Sequence, residues 1–295
     1  MSELPTKILL ATDGSEDAAA AALAAVDVSN RTGAELHVVH VWRRPHDYSY
    51  PGVSPEVFIS AYSRQAEEVL KKELGRIEAA GGTVAGAHLE TGRPVDRVLD
   101  VGEEIRAGLI VLGSRGLGSI RKIVLGSVSG GIVHNADCPV LVVRNGEHQW
   151  PPQRVVVGDD GSDAAMKAGE LAASIGKLYS LPVLLVRAYP EPIETGSVSY
   201  DGMIEKNLQE TRLQEARNAC EKRADELEEL TGLRPETEVS VGEAARVVLE
   251  AAGDGTTLIV MGSRGLGAVR RMALGSVSTK VLQAAEDPVL IFPHG

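Results

Sequence analysis

The chain has 295 residues, enough for about two domains of ordinary size, each able to bury a core. Lys and Arg number 30 against 41 Asp and Glu, and the resulting charge of −11 argues against nucleic acid or an anionic membrane as main partner. Two cysteines cannot form a disulfide framework, no apolar run approaches the roughly 18 residues that span a bilayer, and no charged-then-apolar leader opens the chain. A soluble, cytoplasmic protein is expected.

The first predicted strand begins at Lys7, runs through Ile8, Leu9, Leu10, Ala11 and Thr12, and ends at Asp13. Gly14 turns the chain and Ser15 caps a helix predicted over 17–31, with Glu16 and Asp17 placed favourably against its dipole. A second strand (36–41) ends at Val41 and enters a loop over 43–53. Ser54 then caps a long helix with Pro55 at its first position. A third strand (84–89) and a third helix (94–106) precede the apolar run Leu109-Ile110-Val111-Leu112. After that run come Gly113-Ser114-Arg115-Gly116, nine residues, and Gly126-Ser127-Val128-Ser129 opening a helix, and a strand over 140–143 closes the half. A linker containing Pro151-Pro152 is expected at 146–152.

The same order then returns. A strand from Arg154 ends in Gly158-Asp159-Asp160-Gly161-Ser162, followed by a helix (164–178) and a strand (183–188) that ends at Ala188. A loop (189–202) leads to a long helix whose apolar stripe includes Cys220. A strand (236–241), a helix (244–252) and a strand (258–261) follow. Gly262-Ser263-Arg264-Gly265, nine residues, and Gly275-Ser276-Val277-Ser278 repeat the signature, and a strand over 289–292 ends the half. Gly262 and Gly275 each lie 149 residues after Gly113 and Gly126, and Asp160 lies 147 after Asp13. The domains are read as 1–145 and 153–295.

Strands alternating with helices predict an α/β fold: a parallel sheet in each half, covered on both faces and joined by right-handed crossovers. Ligands of such sheets bind beyond the carboxyl ends of the strands, where the strand order reverses. That rule brings Asp13 beside Gly113, and Asp160 beside Gly262. Gly113 and Gly262 are read as letting a ligand approach closely, and Gly116 and Gly265 as supplying positive φ. The amides opening the helices at Ser127 and Ser276 would point at a phosphate, with serine hydroxyls as further donors. Arg115, Arg121 and Lys122, and likewise Arg264, Arg270 and Arg271, make the two loops locally basic within an acidic chain. No Lys precedes the Gly-Ser pairs as a Walker A loop requires, and the glycines follow the fourth strand rather than the first, so neither familiar nucleotide fingerprint fits. Asp13 and Asp160 could accept from ribose hydroxyls, help hold Mg²⁺ on phosphates, or tie down the turn after the strand.

The Gly-x-x-Gly-(nine)-Gly-Ser signature, with an Asp ending the first strand, resembles the universal stress protein family, specifically its tandem-domain members. The resemblance covers about 5–144 and 153–293. It implies two Rossmann-like (adenine nucleotide alpha hydrolase-like) domains of strand order 3-2-1-4-5, paired through their last strands, with ATP in each half. Carried over residue by residue, Gly113, Arg115, Gly116, Gly126, Ser127, Val128 and Ser129 would hold phosphates and ribose, with Ala11, Thr12, Asp13 and Val41 on the adenosine side. Their second-half matches are Gly262, Arg264, Gly265, Gly275, Ser276, Val277 and Ser278, with Gly158, Asp159, Asp160 and Ala188. Asp13 and Asp160 are the candidate metal contacts, through Mg-ATP. Two departures stand out: Asp159 replaces Thr12, adding a charge that favours a metal or weakens the site, and Ala188 replaces Val41, thinning an apolar wall. No catalytic residue is expected, because none of the seven histidines falls in a glycine loop. The expected role is a non-catalytic ATP-dependent regulator of stress response with unidentified protein partners, intrachain domain pairing and homodimers. The alternatives are a slow ATPase or a nucleotide-free interaction module.

Overall fold

The computed structural model describes residues 4–43, 55–116, 125–144, 150–190, 201–253, 256–265 and 274–293. The expectations for Ser54, for most of the loops 43–53 and 189–202, for 146–149 of the linker, and for Arg121, Lys122, Arg270 and Arg271 lie outside the described residues.

The first repeat runs β1 (Lys7–Thr12), α1 (Glu16–Thr32), β2 (Glu35–Trp42), α2 (Pro55–Ala79), β3 (Val84–Thr91), α3 (Pro94–Ile105), β4 (Leu109–Gly113), α4 (Ser127–Asn135) and β5 (Val140–Val143). The second runs β6 (Arg154–Gly158), α5 (Asp163–Tyr179), β7 (Val183–Tyr189), α6 (Asp201–Thr231), β8 (Glu236–Val241), α7 (Ala244–Ala252), β9 (Thr257–Gly262), α8 (Ser276–Ala284) and β10 (Val289–Phe292). The chain divides into two compact units, one of Leu4–Pro151 with Glu286–Pro293, the other containing Pro152–Ala285.

In the first unit β1 lies between β2 and β4, with β3 beyond β2 and β5 beyond β4, all parallel. This is the 3-2-1-4-5 order expected for that half. β10 then runs antiparallel along β5, with Val289 opposite Val142 and Leu290 opposite Leu141. The closing strand of the second repeat therefore covers the edge that β5 would otherwise leave unpaired. In the other unit β8, β7, β6 and β9 are adjacent in that order and parallel.

The unbroken apolar runs are central strands buried on both faces, which is why they lack alternation. Ile8, Leu9 and Leu10 have no exposed surface, and each such side chain contributes about 1.5–3 kcal/mol of burial. Helices α1 and α2 pack together on one face of the first sheet and α3 and α4 on the other, and α5 with α6 and α7 with α8 repeat the arrangement. Ala21, Ala22, Ala24 and Ala25 are buried, so α1 meets the sheet through small side chains that let its backbone come close. Ser15 caps α1 by accepting the Ala18 N–H (3.2 Å), and Ser162 caps α5 through Ala165 N–H (3.2 Å), as expected. Among the described residues, no helix is long and apolar enough to cross a membrane.

Candidate functional site

Ala11 of β1 stands opposite Leu112 of β4, so the tips of these strands meet where the strand order reverses. A cavity of about 670 Å³ opens there, lined by Ala11, Thr12, Asp13, Val41, Gly113, Arg115, Gly116 and Gly126 to Ser129. The second repeat has a cavity of about 430 Å³ lined by Gly158, Asp159, Asp160, Ala188, Gly262, Arg264, Gly265 and Gly275 to Ser278. Residues a hundred positions apart are thus brought together twice, in cavities of the size that holds small ligands, roughly 300–1,000 Å³.

The helix starts distinguish these cavities from ordinary turns. The N-cap of α4 is Gly126 and that of α8 is Gly275, and neither has a side-chain cap, unlike α1 and α5. The first N–H groups of a helix have no partner within it, so a glycine cap leaves them to water or a ligand. Here those groups belong to Ser127, Val128 and Ser129, and to Ser276, Val277 and Ser278, all on the cavity walls. Gly126 N–H donates to the Ser114 carbonyl (2.8 Å) and Gly275 N–H to that of Ser263 (2.7 Å), fixing each helix start to its glycine loop. The Ser129 hydroxyl donates to the Gly113 carbonyl (2.7 Å) and that of Ser278 to Gly262 (2.8 Å). Those two protons serve the fold rather than a ligand, which corrects one expectation.

The glycines act differently from the sequence reading. A Cβ on Gly113 would lie 2.6 Å from the Asp17 carbonyl carbon, and one on Gly262 would lie 2.9 Å from the Ala164 Cβ. Both glycines therefore admit the first helix of their repeat to the strand, besides lining the cavities. Neither Gly116 nor Gly265 has positive φ. A Cβ on Gly116 would fall 2.2 Å from Asp13 Oδ2, and one on Gly265 would fall 2.0 Å from Asp160 Oδ2. These glycines make room for the carboxylates. Positive φ occurs instead at Gly14 (79°) and Gly161 (85°), immediately after the aspartates.

Asp13 Oδ1 accepts the Ser15 N–H at 3.0 Å and Asp160 Oδ1 accepts that of Ser162 at 3.0 Å, so each aspartate ties down its turn. Arg115 is clasped by Asp17, which accepts from its Nε (3.2 Å), its backbone N–H (3.1 Å) and the Ser114 hydroxyl (2.7 Å). In the second repeat Ala164 occupies the place of Asp17. Asp159 does not add a ligand-facing charge. Its carboxylate has no exposed surface and is paired with Arg187 and Arg223. His40, matched by Arg187, is buried and donates from Nδ1 to the Thr12 carbonyl (2.8 Å).

Sequence reasoning missed the wall built by α3 and α7. Pro94 and Val98 line the first cavity, and Ala244 and Val248 the second, each pair spaced four residues apart on one helix face. That spacing was visible, but which neighbour the face meets was not. Arg43 also lines the first cavity, with Pro190 at the matching position of the repeat. Ala188 does thin the second wall, yet Met261, in the place of Leu112, brings its Cε to 3.4 Å from where a Gly158 Cβ would stand. The second cavity is the smaller one.

A parallel α/β sheet with a glycine-capped helix start opposite the tip of its first strand, built twice in one chain, defines a tandem protein of the doubly wound class. The Universal stress protein family model matches residues 5–144 and again 152–293, and the chain belongs to that family. A universal stress protein of Mycobacterium tuberculosis is 30% identical over 294 residues, covering 96% of each chain. A single-repeat relative from Thermus aquaticus is 38% identical over 137 residues, covering 46% of this chain and 97% of the relative. The crystal structure of a universal stress protein from Archaeoglobus fulgidus superposes with a TM-score of 0.67 at 25% identity, over 98% of this chain and 99% of that one.

Proposed function

We propose that each repeat binds ATP in its crevice and that the protein is a non-catalytic, nucleotide-dependent stress-response regulator. The observation that carries this reading is the pair of glycine-capped helix starts whose first-turn amides line a cavity. A helix N-terminus carries roughly half a positive charge, and several convergent N–H donors match phosphate oxygens. Ser127 to Ser129 and Ser276 to Ser278 would hold the phosphates. The apolar walls formed by Val41 and Val98, or Val248, suit a base, and Asp13 and Asp160 suit a ribose hydroxyl or phosphate-bound Mg²⁺. Among the described residues no group of three or more His, Cys, Asp or Glu could hold a metal, so Mg²⁺ would arrive on the triphosphate. Binding beside the loops 114–126 and 263–275 would alter the surface offered to protein partners.

Phosphoryl transfer needs a positioned base and a cation on the transferred group. Among the described residues neither cavity is lined by a His or Lys; the cations on the walls are Arg43 and Arg115 in the first, the latter engaged by Asp17, and Arg264 in the second, none of them a proton acceptor. Binding is therefore the better-supported activity. In calorimetric titration with Mg-ATP, two equivalents are expected. Gly116→Glu with Gly265→Glu drives a side chain into each aspartate and is expected to abolish the heat. Full binding by this folded double variant would refute the site assignment.

A further inference from the structure

At the tip of each opening strand a polar cluster ties the strand to its long helix, and the two repeats build it from different residues. In the first, the Thr12 hydroxyl donates to Glu73 Oε2 on α2 (3.0 Å) and accepts the Gly14 N–H (3.2 Å). Arg76 clasps Glu73 at 2.8 and 3.0 Å, and Glu73 is only 1% exposed. A hydroxyl has one proton, so giving it to Glu73 turns the oxygen lone pairs toward Gly14. In the second repeat, Asp159 stands where Thr12 does and accepts the Gly161 N–H directly, at 3.1 Å. Arg187, in the place of His40, donates to Asp159 Oδ2 (Nε at 3.0 Å). Arg223 of α6 lies 3.8 Å from Asp159 Oδ1 and donates to the Gly161 carbonyl (3.0 Å). Arg223 occupies the position of Glu73: the ion pair Glu73–Arg76 of α2 returns with its signs reversed as Arg223–Glu226 of α6.

The carboxylate has moved from helix to strand, and its companions have changed with it. The long helix carries the opposite charge in its place, Arg223 for Glu73. What both arrangements preserve is an acceptor on one N–H, that of the glycine following the crevice aspartate. Pairing buried charges would be satisfied by many arrangements, but this acceptor is specific. Its outcome is the same turn twice, with Gly14 and Gly161 at φ 79° and 85° and each aspartate accepting from the serine two residues on at 3.0 Å.

We infer that Glu73 and Asp159 are positioning residues for the crevice carboxylates Asp13 and Asp160, the first acting through a hydroxyl relay from α2, the second from the strand itself. The inference rests on the crevices binding ATP.

The test uses the full chain with the second crevice closed by Gly265→Glu, titrated with Mg-ATP. Adding Thr12→Asp sets a second carboxylate against Glu73, and affinity is expected to fall about tenfold or more. Adding Glu73→Arg and His40→Arg as well rebuilds the arrangement of the second repeat and is expected to restore affinity to within about threefold, because the three sites are coupled. Thr12→Asp at unchanged affinity would overturn the inference. So would a triple variant that fails to fold, or one that regains the melting temperature but not the affinity, since the cluster would then be structural only. If Thr12→Asp alone does not fold, the triple variant decides. An unsubstituted chain that binds no ATP would instead sink the nucleotide reading itself.

Discussion

Side chains at the two crevices divide into those that build the fold and those left to a ligand, and single substitutions separate them. Gly113→Ala places a methyl group 2.6 Å from helix backbone that cannot move aside as a side chain would. It is expected to lower unfolding free energy by about 1–3 kcal/mol in denaturant titrations, the usual cost of overpacking. Burial pushes the thiols of Cys138 and Cys220 up to about 11 from an ordinary 9.0, with the nearby Asp137 and Asp159 charges acting in the same direction. The folded chain favours the neutral thiol, so this stabilisation is complete below pH 9 and is lost as pH rises through about 11. Cys220→Ala is expected to flatten the decline of stability between pH 9 and 11 relative to the parent chain. Parallel pH profiles for the two would contradict the assignment.

At the scale of elements, the helices that open a half differ from those that border the crevice. Ser15 and Ser162 close α1 and α5, and Gly126 and Gly275 leave α4 and α8 open. Gly275→Asp would supply a cap and, in the same place, a negative charge where a phosphate is proposed to sit. A Cβ there would approach the Ser263 carbonyl oxygen at 3.3 Å, a tight but tolerable distance. An N-cap aspartate is worth only about a few tenths of a kcal/mol more than a glycine, so thermal stability is expected to hold while ATP binding in the second repeat is lost. Retention of two ATP equivalents by this variant would contradict the proposed phosphate site.

For the molecule as a whole, the first unit depends on a strand from the end of the chain. β10 is grouped with Leu4–Pro151 and pairs along β5, whose sequence Val-Leu-Val-Val offers a flat apolar edge when uncovered. A chain ending at Ala285 lacks that cover. It is expected to self-associate in light-scattering measurements, because unpaired edge strands recruit other strands. A monodisperse species of one chain mass would show that β5 needs no cover. Each cavity is lined by residues of one unit alone, so Gly116→Glu is expected to remove one ATP equivalent by calorimetry and leave the other.

Much of this was legible in the amino-acid order. Apolar runs of strand length, the Asp-Gly-Ser turns and the twice-repeated glycine spacing determine a parallel α/β sheet in tandem, because those features act over a few residues. Chain order and the switch-point rule were enough to bring Asp13 toward Gly113. Tertiary structure alone decided what each group does on arrival. Gly116 proved to be space for Asp13, Arg115 was claimed by Asp17, and Asp159 was buried between Arg187 and Arg223. It also decided that α3 walls the first cavity. Those outcomes depend on which surfaces meet across a hundred residues of chain, and spacing within a segment carries no record of that.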